Sequence, residues 1–226
     1  MELREFMSVR RAYNIVRQET EGPERLTFEE FAILCRLSLS PRPMKTSEIA
    51  DYQGALRPTM THRANHLSDL GYIERDEGTS DRRNIVCSIS PEGRARMMDL
   101  AKKTCARIPT GQPLARTSPD RICKYVDAMG SVYCTAGELV QLCLYVNAEG
   151  DGCTVTSLVA RLGLLQPTVS MSVATLARRE LVERKRIPGM SMRSTTIFLT
   201  EKGYEATRPL AERIESLVVR RGSRSV

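Results

Sequence analysis

The chain has 226 residues, enough for one large domain or two of about 100 residues each. Its 34 Lys and Arg against 27 Asp and Glu give a net charge of +7 and a pI near 9.2, a balance that favours a polyanionic partner. Hydrophobic residues make up 41%, sufficient for packed cores, but aromatics are only 5% and Trp is absent, which argues against a groove that stacks sugars or single-stranded bases on rings.

Acidic residues follow Met1 directly, no signal-peptide core stands near it, and nowhere do about 18 apolar residues run together. The sequence therefore predicts a cytoplasmic protein without membrane partners. Seven cysteines with no CxxC pair predict reduced thiols rather than a disulfide framework.

In chain order, residues 3–19 predict a helix on Leu3, Phe6, Met7, Tyr13 and Val16 that closes before Gly22-Pro23. Thr27 with Glu30 three residues on predicts a capping box, and Phe28, Phe31, Leu34 and Cys35 form the apolar face of the helix it opens. Ser40-Pro41-Arg42-Pro43 ends that helix, and a short one follows from about Thr46 to Tyr52. The next helix begins at Arg57-Pro58, with Met60, Ala64 and Leu67 as a narrow apolar stripe. Its other faces carry Arg57, Thr59, Thr61, His62, Asn65 and His66, side chains able to contact phosphates or base edges in a major groove. The period then changes: Tyr72 and Ile73, then Ile85, Val86, Cys87 and Ile89, are strand formers on either side of a polar loop with Asp81, Arg82 and Arg83. Ser90-Pro91-Glu92 starts a helix running to about Ile108.

Residues 109–119 carry three prolines and a glycine without periodicity and read as a linker. The chain thus divides into domain 1 at 1–108, a linker at 109–117 and domain 2 at 118–226. Ser118-Pro119-Asp120 opens a helix on Ile122, Val126, Met129 and Tyr133, after which the whole pattern repeats. Thr27, Glu30, Leu34 and Cys35 meet Thr135, Glu138, Leu142 and Cys143 at an offset of 108. Gly54, Pro58, Thr59, Leu67, Glu74 and Arg75 meet Gly163, Pro167, Thr168, Leu176, Glu183 and Arg184 at 109, and Arg83 and Gly93 meet Arg193 and Gly203 at 110.

The segments Gly54-Ala55-Leu56-Arg57-Pro58-Thr59-Met60-Thr61-His62, Gly71-Tyr72-Ile73-Glu74-Arg75, Asp81-Arg82-Arg83 and Ile89-Ser90-Pro91-Glu92-Gly93 resemble the winged-helix core of MarR-type regulators. With the repeat, the arrangement is similar to tandem Sar-type regulators, in which two winged helices in one polypeptide imitate a MarR dimer. The resemblance implies a mainly α fold with small β-hairpin wings, built as two tandem winged helix-turn-helix domains forming a pseudo-dimer. It also implies that the first helix of each copy joins subunits, and that Arg83 enters a minor groove while Asp81 holds it. Leu56 departs from the polar residue that often caps such a helix, since it cannot accept a hydrogen bond.

The copies are unequal. The second recognition helix offers Gln166, Thr168, Ser170, Met171, Ser172 and Thr175, with no basic residue before Arg178. Its wing is the more basic, with Arg184, Lys185, Arg186 and Arg193 against Glu183, and Ser191 stands where the first wing has Asp81.

His62 and His66 have a spacing that suits a metal, but no Cys, Asp or Glu adjoins them in sequence, and DNA contact is the preferred reading over solvent exposure or metal. Cys35 and Cys143 sit on apolar faces and read as core. Cys105, Cys123 and Cys134 flank the linker, where a redox switch needs a lowered thiol pKa. The methionines read as gap-filling core. No metal, cofactor or catalytic set is expected: the two histidines are on the recognition helix, and no phosphate-cradling loop, G-x-S-x-G or zinc motif is present. The reading is a sequence-specific regulator of transcription that binds double-stranded DNA, as a monomer acting as a pseudo-dimer or as a homodimer, with a small-molecule effector left open. The alternative is a winged-helix protein-interaction module with one degenerate copy.

Overall fold

The computed structural model describes residues 1–77, 85–147, 152–186 and 195–220. Its elements run α1 (Leu3–Glu19), α2 (Phe28–Leu39), β1 (Met44–Lys45), α3 (Thr46–Gln53), α4 (Arg57–Asp69), β2 (Ile73–Glu77), β3 (Ile85–Ile89) and α5 (Pro91–Ala106). They continue as α6 (Pro119–Met129), α7 (Ala136–Val146), β4 (Cys153–Thr154), α8 (Val155–Leu162), α9 (Gln166–Arg178), β5 (Val182–Lys185), β6 (Thr196–Leu199) and α10 (Glu201–Glu215). The fold is mainly helical with two small antiparallel sheets, and it comprises two winged helices. No described helix is long and apolar enough to cross a membrane.

Two compact units account for the chain: one holds Val16–Tyr133 with Leu217–Val226, the other Met1–Ile15 with Cys134–Ser216. In the first, the Thr27 hydroxyl accepts from Glu30 N at 3.2 Å and Glu30 Oε2 accepts from Thr27 N at 2.7 Å, closing the predicted capping box at α2. α3 stops at Gly54, whose φ of +58° is the left-handed cap conformation that glycine adopts without strain. The sheet has the order β1-β3-β2, with Met44 opposite Cys87 and Ile73 opposite Ile89. At α5, Ser90 Oγ accepts from Gly93 N at 2.9 Å and donates to Gly71 O at 2.6 Å, and a β-carbon at Gly93 would overlap the Tyr72 carbonyl.

The core of this unit joins Phe31, Ile33, Leu34, Ile49, Met60, Leu67 and Leu100, all essentially without solvent contact, to Ile122, Val126 and Met129 of α6. α6 packs on α2 and α5. Asp127 of α6 forms an ion pair with Arg36 of α2 at 2.8 Å, and Tyr52 donates to the Asp127 carbonyl at 2.5 Å. Burial raises the Asp127 carboxyl above its ordinary value, the Arg36 charge offsetting part of that. Tyr133, expected on the apolar face of this helix, is instead 57% exposed, because α6 ends at Met129 with Gly130 as its cap. Residues 109–117 run through successive turns, such as Gln112 N to Pro109 O at 3.1 Å, and lie within this unit.

The second unit repeats the same devices. Thr135 and Glu138 form a capping box at α7, Gly163 ends α8 at φ +59°, and the sheet order is β4-β6-β5. A β-carbon at Gly203 would overlap the Leu181 carbonyl, as at Gly93. Residues 3–15 of α1 belong here: Leu3, Phe6, Val9, Ala12 and Tyr13 are buried, Arg11 Nε donates to Ala160 O at 2.7 Å, and Asn14 Nδ2 donates to Leu162 O at 2.8 Å.

Candidate nucleic-acid interface

α4 turns Met60, Ala64 and Leu67 inward, as its spacing predicts, and leaves Arg57, Thr59, Thr61, His62 and Asn65 exposed. Leu56 at its N-cap and Leu165 at that of α9 provide no side-chain acceptor, so no side chain caps the first-turn N–H groups of either helix. Both leucines are exposed, at 78% and 54%. An open helix start beside an apolar side chain suits a phosphate and its sugar, a feature the sequence signalled only as a missing cap.

The polar groups of α4 fall into two sets. Thr61 Oγ1 donates back to Arg57 O at 3.0 Å, and Arg75 of β2 donates to Asn65 Oδ1, which joins the hairpin to the helix. Arg63 is half-buried and donates to Gln53 Oε1 at 2.7 Å, while Gln53 donates to Glu29 O at 2.8 Å. His66 Nδ1 lies 2.6 Å from Glu30 Oε1, with the Glu30 side chain only 5% exposed. Of four basic groups on this helix, Arg57 and His62 project freely, whereas Arg63 and His66 hold α4 against its neighbours. The acidic partner of His66 arrives from 36 residues away in the sequence. Among the described residues no group of three His, Cys, Asp or Glu could hold a metal ion.

α9 buries Val169, Val173 and Leu176 and exposes Gln166 and Met171, with Thr168 and Ser170 half-buried. Met171 is 72% exposed and so departs from the gap-filling role expected of the methionines, which Met60, Met97 and Met129 do fill. In the second hairpin Arg184, Lys185 and Arg186 are exposed. Lys185 forms an ion pair with Glu183 at 2.5 Å and lies 5.7 Å from the Phe198 ring centre. The predicted wing residues Asp81, Arg82, Arg83, Ser191 and Arg193 lie outside the described residues.

All seven cysteines are free, and all but Cys105 are buried. Burial pushes the Cys35, Cys87 and Cys105 thiols up. In the second unit Cys143 and Cys153 share a hydrogen bond that raises Cys143 and lowers Cys153, the latter helped by Asn147 and Arg161.

MarR-family models match the sequence at residues 26–85 and again at residues 140–189. No curated protein matches it. Among solved structures it is similar to the transcriptional regulator BldR from Sulfolobus solfataricus, at 23% identity over 34% of this chain and 54% of that one, with a TM-score of 0.31. It is similar also to YusO from Bacillus subtilis, at 25% identity over 41% and 63% with a TM-score of 0.37. CouR from Rhodococcus jostii, bound to p-coumaroyl-CoA, shows 18% identity over 56% and 87% with a TM-score of 0.38. The chain spans less than two thirds of the length of the first two. The two sequence matches fall on α2 through β2 and on α7 through β5: the chain carries two MarR-type winged-helix domains in tandem.

Proposed function

We propose that the protein is a transcriptional regulator that binds duplex DNA, seating α4 and α9 in major grooves with the two hairpins against phosphates and minor-groove edges. The observation that carries this reading is α4, where an apolar stripe is fully buried while Arg57, Thr59, Thr61, His62 and Asn65 face solvent together behind an uncapped helix start. The net charge of +7 supports it. Gln166, Thr168, Ser170 and Met171 take the corresponding place on α9, and Arg82, Arg83, Arg184, Lys185, Arg186 and Arg193 are the wing cations, with Asp81 bracing Arg83. The sequence repeats 1–108 and 118–226 each contribute one recognition helix, so that one chain supplies both without enzymatic chemistry.

The test begins with sequences selected from a random DNA pool and measures affinity against salt. About six phosphate contacts give a log-log slope near −5, at roughly 0.9 per contact. A slope near zero, with no sequence recovered from the pool, would overturn the DNA reading in favour of a protein partner.

A further inference from the structure

The second unit holds a pocket of about 720 Å3 between α7, α9 and α10. The repeat explains its origin. At the positions that frame it, the first unit has Ile33, His66 and Met97 where the second has Gln141, Thr175 and Thr207. Ile33 and Met97 are buried in the first unit, and the His66 ring closes on Glu30. In the second, Gln141 Nε2 donates to Thr207 Oγ1 at 3.1 Å, and Thr207 donates to Gly203 O at 2.7 Å, so the two side chains form a hydrogen-bonded polar wall. Met171, Leu176 and Leu210 supply the apolar part of the lining.

The two capping glutamates show what the space lacks. Glu30 uses Oε2 for Thr27 and Oε1 for His66. Glu138 uses Oε2 for Thr135 in the same way, with the backbone N–H and hydroxyl both at 2.7 Å. Its Oε1 has no donor among the described residues, because Thr175 stands where His66 would be, and Glu138 lines the pocket. The carboxylate is half-buried there, whereas Glu30 is buried under its histidine.

We propose that this pocket binds a small nitrogen heterocycle that donates an N–H to Glu138 Oε1, its ring lying where the imidazole of His66 lies in the first unit. The volume falls within the range of small-molecule sites, about 300 to 1,000 Å3, and leaves room for an apolar extension of the ring against Met171 and Leu210. The first unit shows that this fold accepts an azole at this position, held by the corresponding capping glutamate.

Benzimidazole and imidazole are the probes, titrated into the full chain by calorimetry and by amide NMR shifts. Saturable binding below about 10 mM, with shifts centred on Glu138, Thr175 and Thr207, is expected, the larger ring binding more tightly. Glu138→Gln keeps a residue that capping boxes accept and should weaken binding at least tenfold. Thr175→His supplies the ring covalently, and should abolish binding while raising the melting temperature. The proposal fails if neither heterocycle saturates, or if Thr175→His, shown folded by its NMR spectrum, binds benzimidazole as the parent chain does. Binding here does not depend on the reading of DNA, so a failed DNA titration leaves it standing and a failed heterocycle titration leaves the DNA reading standing.

Discussion

Glu30 serves two helices with one carboxylate: one oxygen closes the capping box of α2 and the other receives His66 of α4. That divides the basic residues of α4 by role, since a histidine committed through Nδ1 to a buried carboxylate positions the helix, whereas Arg57 and His62 remain available to a ligand. Copy two has no charged counterpart to either, because Gln166 and Met171 stand there. Base discrimination is therefore expected mainly in the half-site read by α4. Alanine at Arg57 or His62 should relax base preference in that half-site by about 1 to 3 kcal/mol, the range of a good bidentate contact. Alanine at Lys185 and Arg186 should weaken all sequences alike and flatten the salt slope, although the Glu183 ion pair already offsets part of the Lys185 charge. Competition titrations against single-base operator variants separate the two effects. Equal base preference in both half-sites, or a larger effect of Gln166→Ala and Met171→Ala than of Arg57→Ala and His62→Ala, would refute the asymmetry.

At the scale of elements, each hairpin is fastened to the helix that follows it by a glycine with no room for a side chain. Gly93 and Gly203 sit on the third position of α5 and α10, and a β-carbon would strike the carbonyl of Tyr72 or Leu181, backbone atoms that cannot rotate away. Gly93→Ala and Gly203→Ala should each lower stability by about 1 to 3 kcal/mol, the usual penalty of overpacking, read as a lower urea midpoint; a midpoint equal to that of the parent would contradict the close approach. Those glycines were legible in the sequence, as were the capping boxes, the stripe of α4 and the repeat itself, because each is a signal of local spacing. His66 with Glu30, and Arg75 with Asn65, were not, since the partners are 36 and 10 residues apart and meet only when α4 packs on α2 and on the hairpin. Nor was the pocket, because exchanging His66 for Thr175 reads in sequence as the loss of a charge and only in space as the loss of a wall. The end of α6 at Met129 escaped for the opposite reason: the apolar spacing continues to Tyr133 although the helix does not.

At the scale of the molecule, the repeat and the compact units divide the chain at different places. Sequence similarity breaks at residues 109–117, yet α6, which opens the second repeat, belongs with the first winged helix, and residues 3–15 of α1 belong with the second. Two amphipathic helices of similar pattern offer no sequence signal of which core each one covers. The energetics of the first unit decide what a fragment can do. A fragment of residues 1–108 loses Ile122, Cys123, Val126 and Met129 from the cover of α2 and α5, and it loses Asp127, which leaves Arg36 without its carboxylate. Burying an aliphatic side chain contributes about 1.5 to 3 kcal/mol, so the missing helix removes on the order of 5 to 10 kcal/mol, comparable with the whole stability of a domain. The fragment 16–133 keeps that helix and omits the part of α1 that packs elsewhere together with the short segment from Leu217 onward. It should unfold cooperatively in urea, followed by circular dichroism, whereas 1–108 should show no cooperative transition or a far lower midpoint. If the two fragments unfolded at the same midpoint with the same cooperativity, α6 would not be part of the first unit, and the division of the chain at its linker would describe its folding as well as its ancestry.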